Sequence, residues 1–216
     1  MNKVTMTNMR SHLKVIFFDF DGTLAHSEDA VHDTINEVLG HFGYPLRTRE
    51  QTTFSTGGTA LQAYIDASGD MEKASHMRAH HIKTQFRHMH KCVLFPGVLD
   101  TLHKLTPNQK AIITSANRPK MEELLHAMQL DTVIDYLVTS DDVACPKPHV
   151  EPFEKAMKYF GVEPDECLMV GDTEADIAGA RNAGIRSVGV TYSSLGQEIK
   201  KYHPTYTIDS FPELWE

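Results

Sequence analysis

Short apolar runs separated by helical patterns constrain the fold of this chain more than any other feature of its sequence. The runs are Val15–Phe18, Ala111–Thr114, Tyr136–Thr139, Cys167–Val170 and Ser187–Val190. Between them, apolar residues recur at helical spacing, as at Met121, Leu124, Leu125 and Met128. A strand that is apolar at every position is buried on both faces, which is typical of parallel sheets covered by helices. The alternation therefore predicts an α/β fold with a Rossmann-like parallel sheet.

Residues 25–92 interrupt this alternation, because they contain no run that resembles a buried strand. Their apolar residues have helical spacing instead, at Val31, Ile35, Val38, Leu39, Leu61 and Ile65. A polar loop is predicted at 52–59, where Gly57 and Gly58 could allow a substrate to approach the backbone or could simply form a turn. We therefore expect a core of residues 13–24 and 93–216, with residues 25–92 inserted as a small helical cap.

The composition argues against several classes of partner. The 216 residues carry a formal net charge of −8, which is unfavourable for binding nucleic acid or an anionic membrane. No stretch reaches the roughly 18 apolar residues of a membrane span, and Met1–Leu13 does not resemble a signal peptide. The three cysteines have no paired spacing, which fits a reducing compartment. We expect a cytoplasmic protein, either a monomer or a homodimer.

The carboxyl ends of the predicted strands carry most of the residues that suggest chemistry. In order along the chain these are Asp19 and Asp21, then Thr114 and Ser115, then Lys147, and finally Asp172 with Asp176. Ligands of open parallel sheets bind beyond these strand ends, so the side chains should converge on one edge. Clustered carboxylates repel one another unless a cation is present, and oxygen ligands suit Mg²⁺. A lysine and a hydroxyl beside such a metal suit a phosphate group.

These residues also match a known family. The chain resembles the haloacid dehalogenase superfamily, in its phosphatase branch with an inserted helical cap. The segment Asp19–Thr23 is similar to the first motif of that family, Thr114 to its second and Lys147 to its third. Gly171 and Asp172, with Asp176, are similar to its fourth motif. The position and length of the cap resemble those of phosphoglycolate phosphatases, so the resemblance implies a small phosphorylated metabolite as substrate.

The resemblance implies a role for each motif residue in catalysis. Asp19 would attack phosphorus and form an aspartyl-phosphate, which splits one displacement into two. Asp21 would protonate the leaving oxygen and then act as general base on water. Thr114 and the backbone near Ser115 would hold phosphate oxygens. Lys147 would neutralise the phosphate and keep Asp19 ionised.

The resemblance also implies a set of Mg²⁺ ligands. Asp19 and Asp172 would supply carboxylate oxygens, and Asp21 would supply its backbone carbonyl, because its side chain must stay free for proton transfer. Asp176 would orient water bound to the metal rather than bind the metal itself.

Each residue also has an ordinary structural interpretation when taken alone. An Asp-Gly pair usually marks a turn, a lone Lys147 would be a surface residue, and Asp172 or Asp176 could belong to a helix start. The set of four motifs favours the functional interpretation. Other enzyme classes stay open, namely a β-phosphoglucomutase-like phosphomutase, a pyrophosphatase or a phosphonate hydrolase. A catalytically silent binding module is the non-enzyme alternative, and the presence of Asp19, Asp21, Lys147 and Asp172 argues against it.

Histidines provide two further observations. Five of them lie between His76 and His90, and we expect a solvated helix face rather than a zinc site, because no third ligand has suitable spacing. His26 stands where many close relatives of the resembled family carry an acidic residue. We expect His26 at the junction of core and cap, where it could contact substrate or act only as part of a hinge.

Overall fold

The computed structural model describes residues 12–52, 60–106 and 108–215. The predicted loop glycines Gly57 and Gly58 and most of the segment Met1–Leu13 lie outside these ranges. The described strands are β1 (Val15–Phe18), β2 (Ala25–His26), β3 (Val93–Leu94), β4 (Gln109–Ile113), β5 (Tyr136–Val138), β6 (Cys167–Gly171), β7 (Arg186–Val190) and β8 (Tyr206–Ile208). The described α-helices are α1 (Glu28–His41), α2 (Arg49–Thr52), α3 (Ala60–Ser68), α4 (Met71–Thr84), α5 (Val98–Lys104), α6 (Arg118–Ala127), α7 (Glu151–Phe160) and α8 (Glu174–Asn182).

Short 3₁₀ turns complete the described elements. They span Gln85–Arg87, Met89–Lys91, Leu130–Thr132, Ser140–Asp142, Pro164–Glu166, Gly196–Tyr202 and Phe211–Leu214. Two of them, Gln85–Arg87 and Met89–Lys91, carry the chain from the end of α4 towards β3.

Six strands form one sheet in the order β5-β4-β1-β6-β7-β8, and all of its pairings are parallel. This confirms the predicted α/β class. Side chains of β1 alternate between two apolar clusters, with Ile16 and Phe18 on one face and Val15 and Phe17 on the other. Burial on both faces explains why this strand is apolar at every position.

The register of the central strands aligns their carboxyl ends. Phe18 of β1 lies opposite Ile112 of β4 and opposite Val170 of β6. The residues that follow, Asp19 and Thr114 among them, therefore emerge at the same edge of the sheet. This alignment is what allows residues more than a hundred positions apart to form one site.

Helices α1 to α4, called the cap helices below, lie between β2 and β3 in the chain. They pack around a small apolar cluster of their own, made of Ile35, Val38, Leu39, Tyr64, Ala74 and Met77. The strands β2 and β3 pair with each other in antiparallel orientation, with Ala25 opposite Leu94 and His26 opposite Val93. The sequence pattern did not predict this two-residue pairing, which brings the two ends of the inserted segment together.

Helix ends near the site are fixed by local hydrogen bonds. Asn117 caps α6 by accepting a hydrogen bond from the Lys120 backbone N–H at 3.1 Å. Thr173 caps α8 in a reciprocal arrangement in which the Asp176 carboxylate accepts from the Thr173 backbone N–H at 3.0 Å. These caps set the positions of Lys120 and Asp176 relative to the strand ends.

Candidate active site

Lys147 links the predicted residues at the centre of the sheet edge. Its ammonium donates to Asp19 Oδ1 at 2.8 Å, to Asp176 Oδ1 at 2.6 Å and to the carbonyl of Ile113 at 2.8 Å. Asp19 itself follows β1 directly, and its backbone N–H donates to the Val170 carbonyl at 2.9 Å. Lys147, Asp19 and Asp176 are all buried, so these charge-assisted bonds form away from bulk water.

Three carboxylates crowd around this lysine. One oxygen from each of Asp19, Asp172 and Asp176 lies within 4.8 Å of the others, and all three residues are buried. Burial raises the pKa of Asp19 to about 7, because Lys147 offsets only part of the cost of desolvation and Asp176 adds repulsion. Burial also raises the pKa of Asp172, and the charges of Asp19 and Asp176 raise it further. The single positive charge of Lys147 therefore does not neutralise the three carboxylates.

This donor set fits a hard divalent cation such as Mg²⁺, which would supply the missing positive charge to the carboxylate oxygens. Asp176 is the least available ligand, because its Oδ1 accepts from Lys147 and its Oδ2 accepts from both the backbone N–H and the hydroxyl of Thr173. Asp172 Oδ1 accepts from the Thr23 hydroxyl at 3.1 Å. Within the described residues, Asp19 Oδ2 and Asp172 Oδ2 accept no hydrogen bond from the protein.

Gly22 leaves room for Asp172 beside the turn that follows β1. Its φ is +81°, a conformation that favours glycine, and a Cβ built there would lie 2.2 Å from Asp172 Oδ2. A side chain at this position would displace the carboxylate. The Asp-Gly pair is therefore a turn, as its local sequence suggests, and also the cradle of a candidate metal ligand.

Asp21 has a partner that the sequence reasoning missed. The ammonium of Lys120 donates to Asp21 Oδ1 at 3.1 Å and lies 3.4 Å from Oδ2. Burial raises the pKa of Asp21, but the charge of Lys120 and a hydrogen bond from Ser27 outweigh it, so the pKa is lowered overall. The sequence held one indication of this contact. Lys120 lies in the first turn of the helix that follows Thr114, close to the end of its strand.

Thr114 and Ser115 lie where the sequence predicts them, at the end of β4. Thr114 is buried, and its hydroxyl oxygen accepts a hydrogen bond from the Ala116 backbone N–H at 3.1 Å. This bond turns the chain away from the sheet and leaves the hydroxyl proton of Thr114 available to a ligand.

A cavity of about 420 Å³ opens above these residues. Among the site residues predicted from sequence, the cavity is lined by Asp19, Asp21, Thr114, Ser115, Lys147 and Asp172, whereas Asp176 lies outside its lining. The cap helices form the opposite wall, chiefly through Arg78, His81, Ile82 and the adjacent Gln85. The volume lies in the range of small-molecule sites. The arrangement can hold an anion against Lys147 with a carboxylate on either side.

Two pairs of residues organise the wall on the cap side. The side-chain amides of Gln85 and Asn117 exchange two hydrogen bonds, at 3.2 and 3.1 Å, and so join the turn after α4 to the start of α6. The Tyr64 hydroxyl lies 2.8 Å from His81 Nδ1. Burial and, to a smaller extent, the charge of Lys120 lower the pKa of His81 to about 3, so His81 is neutral at pH 7.

Some histidines of the segment His76–His90 contact other side chains rather than only solvent. His80 stacks on His41 with ring centroids 4.2 Å apart, and His88 lies 2.7 Å from Glu37. Among the described residues, no metal-ligand cluster involves the segment His76–His90. His26 lies in β2, at the base of the cap helices, where its ring packs edge-on against Phe95. It does not line the main cavity.

Comparisons with known proteins agree with the motifs. Residues 16–190 match the family model of haloacid dehalogenase-like hydrolases. Pyrophosphatase PpaX of Bacillus mycoides (strain KBAB4) is 31% identical over 210 residues, which cover 94% of this chain and 95% of that protein. No helix in the described ranges has both the length and the apolar character needed to cross a bilayer.

Solved structures give the same result for the fold. A predicted phosphoglycolate phosphatase from Haemophilus somnus 129PT is similar with a TM-score of 0.85 and 25% identity, over 94% of this chain and 96% of that one. A HAD-superfamily hydrolase of subfamily IA, variant 1, from Geobacter sulfurreducens PCA has a TM-score of 0.75 and 24% identity, over 94% and 97% of the two chains.

Proposed function

The chain belongs to the haloacid dehalogenase-like hydrolases, and from this premise we propose that it is a Mg²⁺-dependent phosphatase acting on a small phosphorylated compound. The observation that carries the proposal is the position of Lys147, hydrogen-bonded to Asp19 and Asp176 at the base of a cavity that Asp21 also lines. The proposal includes a core of residues 13–24 and 93–216 that carries the chemistry and a cap of residues 25–92 that closes over the substrate.

The first chemical step transfers the phosphoryl group to the enzyme. An oxygen of Asp19 forms a bond to phosphorus as the bond from phosphorus to the leaving oxygen breaks. Asp21, in its protonated form, gives its proton to that leaving oxygen. Thr114 and Ser115 hold the phosphoryl oxygens, and Lys147 neutralises their charge, as its burial next to Asp19 suggests.

The second step returns the enzyme to its starting state. Asp21, now ionised, takes a proton from water, whose oxygen bonds to phosphorus while the bond from phosphorus to Asp19 breaks. Inorganic phosphate leaves. Lys120 lowers the pKa of Asp21 and so favours the ionised carboxylate from which this step starts.

Mg²⁺ would be held by the carboxylates of Asp19 and Asp172 and the backbone carbonyl of Asp21, with Asp176 orienting its water. When bound, the ion would offset the negative charge of the phosphate and of these carboxylates. The crowding of Asp19, Asp172 and Asp176 around one lysine supports this assignment.

The substrate candidates differ in their support. Similarity to a predicted phosphoglycolate phosphatase favours a small phosphate monoester such as phosphoglycolate. Pyrophosphate is the second candidate, because relatives named pyrophosphatase PpaX are about as long as this chain and 30–31% identical to it. A phosphomutase would use the same core residues. A phosphonate hydrolase has less support, because Lys73, Lys83 and Lys91 of the cap do not line the described cavity.

The proposal also covers where the protein acts. All three cysteines are free, with Cys92 and Cys167 buried and Cys145 exposed, in keeping with the expected cytoplasmic location. A small phosphorylated metabolite is the expected partner, in preference to nucleic acid or a membrane.

Phosphate release tests the proposal directly. The purified protein should be assayed with Mg²⁺ against phosphoglycolate, sugar phosphates, nucleoside monophosphates and pyrophosphate, with and without EDTA. Asp19→Asn should lower kcat by about three orders of magnitude or more while the protein stays folded. Asp135→Asn is the control, since this carboxylate accepts from the Lys110 N–H at the opposite edge of the sheet. Wild-type protein that releases no phosphate from any compound, or an Asp19→Asn variant with full activity, would contradict the proposal.

A further inference from the structure

One face of α4 forms the cap side of the cavity. Arg78, His81, Ile82 and Gln85 lie at positions i, i+3, i+4 and i+7 and all line the cavity. Arg78 is partly buried there. Its guanidinium is also close enough to His81 to help lower the pKa of that imidazole, after burial and Lys120. A cation therefore stands across the cavity from the carboxylates and lysine of the core.

Among the described residues, Arg78 differs from the other cap arginines in having no counter-ion. Arg47 pairs with Asp66, Arg49 with Asp29, and Arg87 with Glu37. Within the described residues, Arg78 makes no ion pair or hydrogen bond. The segment 53–59, which the structure does not describe, contains no aspartate or glutamate that could serve as its counter-ion.

The surroundings of Arg78 do not neutralise it. His81 is uncharged at neutral pH. Glu28 is the one carboxylate that the cap helices contribute to the described lining, and it lies beyond ion-pair distance of Arg78. A partly buried guanidinium without a partner loses hydration and gains nothing in return, unless a ligand supplies the negative charge.

We propose that Arg78 is a second anion subsite, which binds a carboxylate or phosphate at the end of the substrate remote from the transferred phosphoryl group. The inference rests on the proposed function, because that function places the transferred group against Lys147. The guanidinium fork matches either anion with two parallel hydrogen bonds. The cavity is large enough for a compound that spans both groups. The substrate class is then a small compound with two anionic ends.

Binding of unreactive analogues tests the subsite without turnover. Phosphonoacetate and methylenediphosphonate carry a second anionic group, a carboxylate and a phosphonate respectively, whereas ethylphosphonate carries a shorter, uncharged tail. In calorimetric titrations with Mg²⁺, wild-type protein should bind the two doubly anionic analogues about 10- to 100-fold more tightly than ethylphosphonate. Arg78→Met should lose this preference, and Arg78→Lys should retain part of it. The carboxylate and phosphonate analogues, compared with each other, identify the preferred anion.

A matched control uses another cap arginine. Arg87→Met removes a cation that pairs with Glu37 away from the cavity, so it should leave the affinities for all three analogues unchanged. The same preference should appear in turnover, as a loss in kcat/KM for phosphoglycolate or pyrophosphate in Arg78→Met with little change for ethyl phosphate.

The two proposals fail in different ways. If the wild type binds the analogues with the stated preference but hydrolyses no phosphate compound, the proposed function is wrong, while the binding of a second anion by Arg78 is still supported. If phosphate is released but Arg78→Met keeps the wild-type preference, or weakens all three analogues equally, the subsite is wrong. Wild-type protein that binds none of the analogues also overturns the subsite.

Discussion

Lys120 reaches from the first turn of α6 to the carboxylate of Asp21, with its ammonium 3.1 and 3.4 Å from the two oxygens. Both residues face the cavity, and Lys120 is buried. Lys120 therefore fixes the orientation of Asp21, the proposed proton donor. Asp21 itself lies two residues after the proposed nucleophile, Asp19. We therefore expect Lys120 to act through Asp21.

Lys120→Met should reduce kcat by about 10²-fold, because Asp21 would lose the contact that orients it for proton transfer. KM should change less, since Asp19 and Lys147 keep their positions. Steady-state kinetics with the best substrate provides the measurement. Lys110→Met is the control, because Lys110 is also buried but donates to the carbonyls of Leu105 and Asn108 at the other edge of the sheet. That variant should lose stability and keep kcat; equal losses of kcat in both variants would contradict the assignment.

Gly22→Ala should inactivate the enzyme as well as destabilise it. A left-handed backbone costs a non-glycine residue about 1–2 kcal/mol, and the new methyl group would also displace Asp172. Gly69→Ala separates the two effects, because Gly69 has a φ of +65° but nothing within 4 Å of the added carbon. Thermal unfolding and phosphate release should show a stability loss in both variants and inactivation only in Gly22→Ala. Full activity in Gly22→Ala would show that Asp172 needs no fixed position.

Thr23→Val should raise the Mg²⁺ concentration needed for half-maximal activity by about 10- to 100-fold. The Thr23 hydroxyl donates to Asp172 Oδ1, and bonds of this kind orient metal ligands. Valine keeps the volume but lacks the donor. The measurement is activity against Mg²⁺ concentration after treatment with EDTA, and kcat at saturating Mg²⁺ should stay close to that of the wild type. An unchanged Mg²⁺ dependence would argue against Asp172 as a ligand.

His81→Gln should weaken the pH dependence of stability on the acid side. The pKa of His81 is lowered to about 3 by burial and by nearby cations, against an ordinary value of about 6.5. A depressed folded pKa gives stability that is present above about pH 6.5 and is lost as the pH falls towards 3. Urea unfolding across this range should therefore show a smaller loss in His81→Gln.

His126→Gln is the control for this prediction. His126 is exposed, and the hydrogen bond and charge of Asp131 raise its pKa, so this shift is opposite in direction to that of His81. That variant should lose stability towards low pH at least as steeply as the wild type. Identical pH profiles for His81→Gln and the wild type would show that His81 titrates normally.

The core of the fold was predictable because its strands carry a strong local signal. Burial on both faces makes β1 and β6 continuously apolar, and the parallel register then brings Asp19, Thr114 and Asp172 to one edge. The last strand, β8, was missed because it has three residues, of which only Ile208 is buried. Helix α7 was also missed, although its apolar residues pack on the sheet.

The wall on the cap side was not predictable from local patterns. Lys120 and Asp21 are 99 positions apart, and Gln85 and Asn117 are 32 apart, so neither contact has a spacing that marks it. Arg78 lies on α4, whose polar sequence predicts exposure to solvent along its whole length. Its orientation depends on how the cap helices pack on one another, and that packing is a property of the tertiary structure.

The paired amides of Gln85 and Asn117 have a consequence for how the enzyme would respond to ionic strength. Both partners are uncharged, so salt does not screen these two bonds, and each contributes only about 1 kcal/mol. Attraction of an anionic substrate to Arg78 is screened by salt. Salt should therefore slow the capture of an anionic substrate more than it weakens the contact between Gln85 and Asn117.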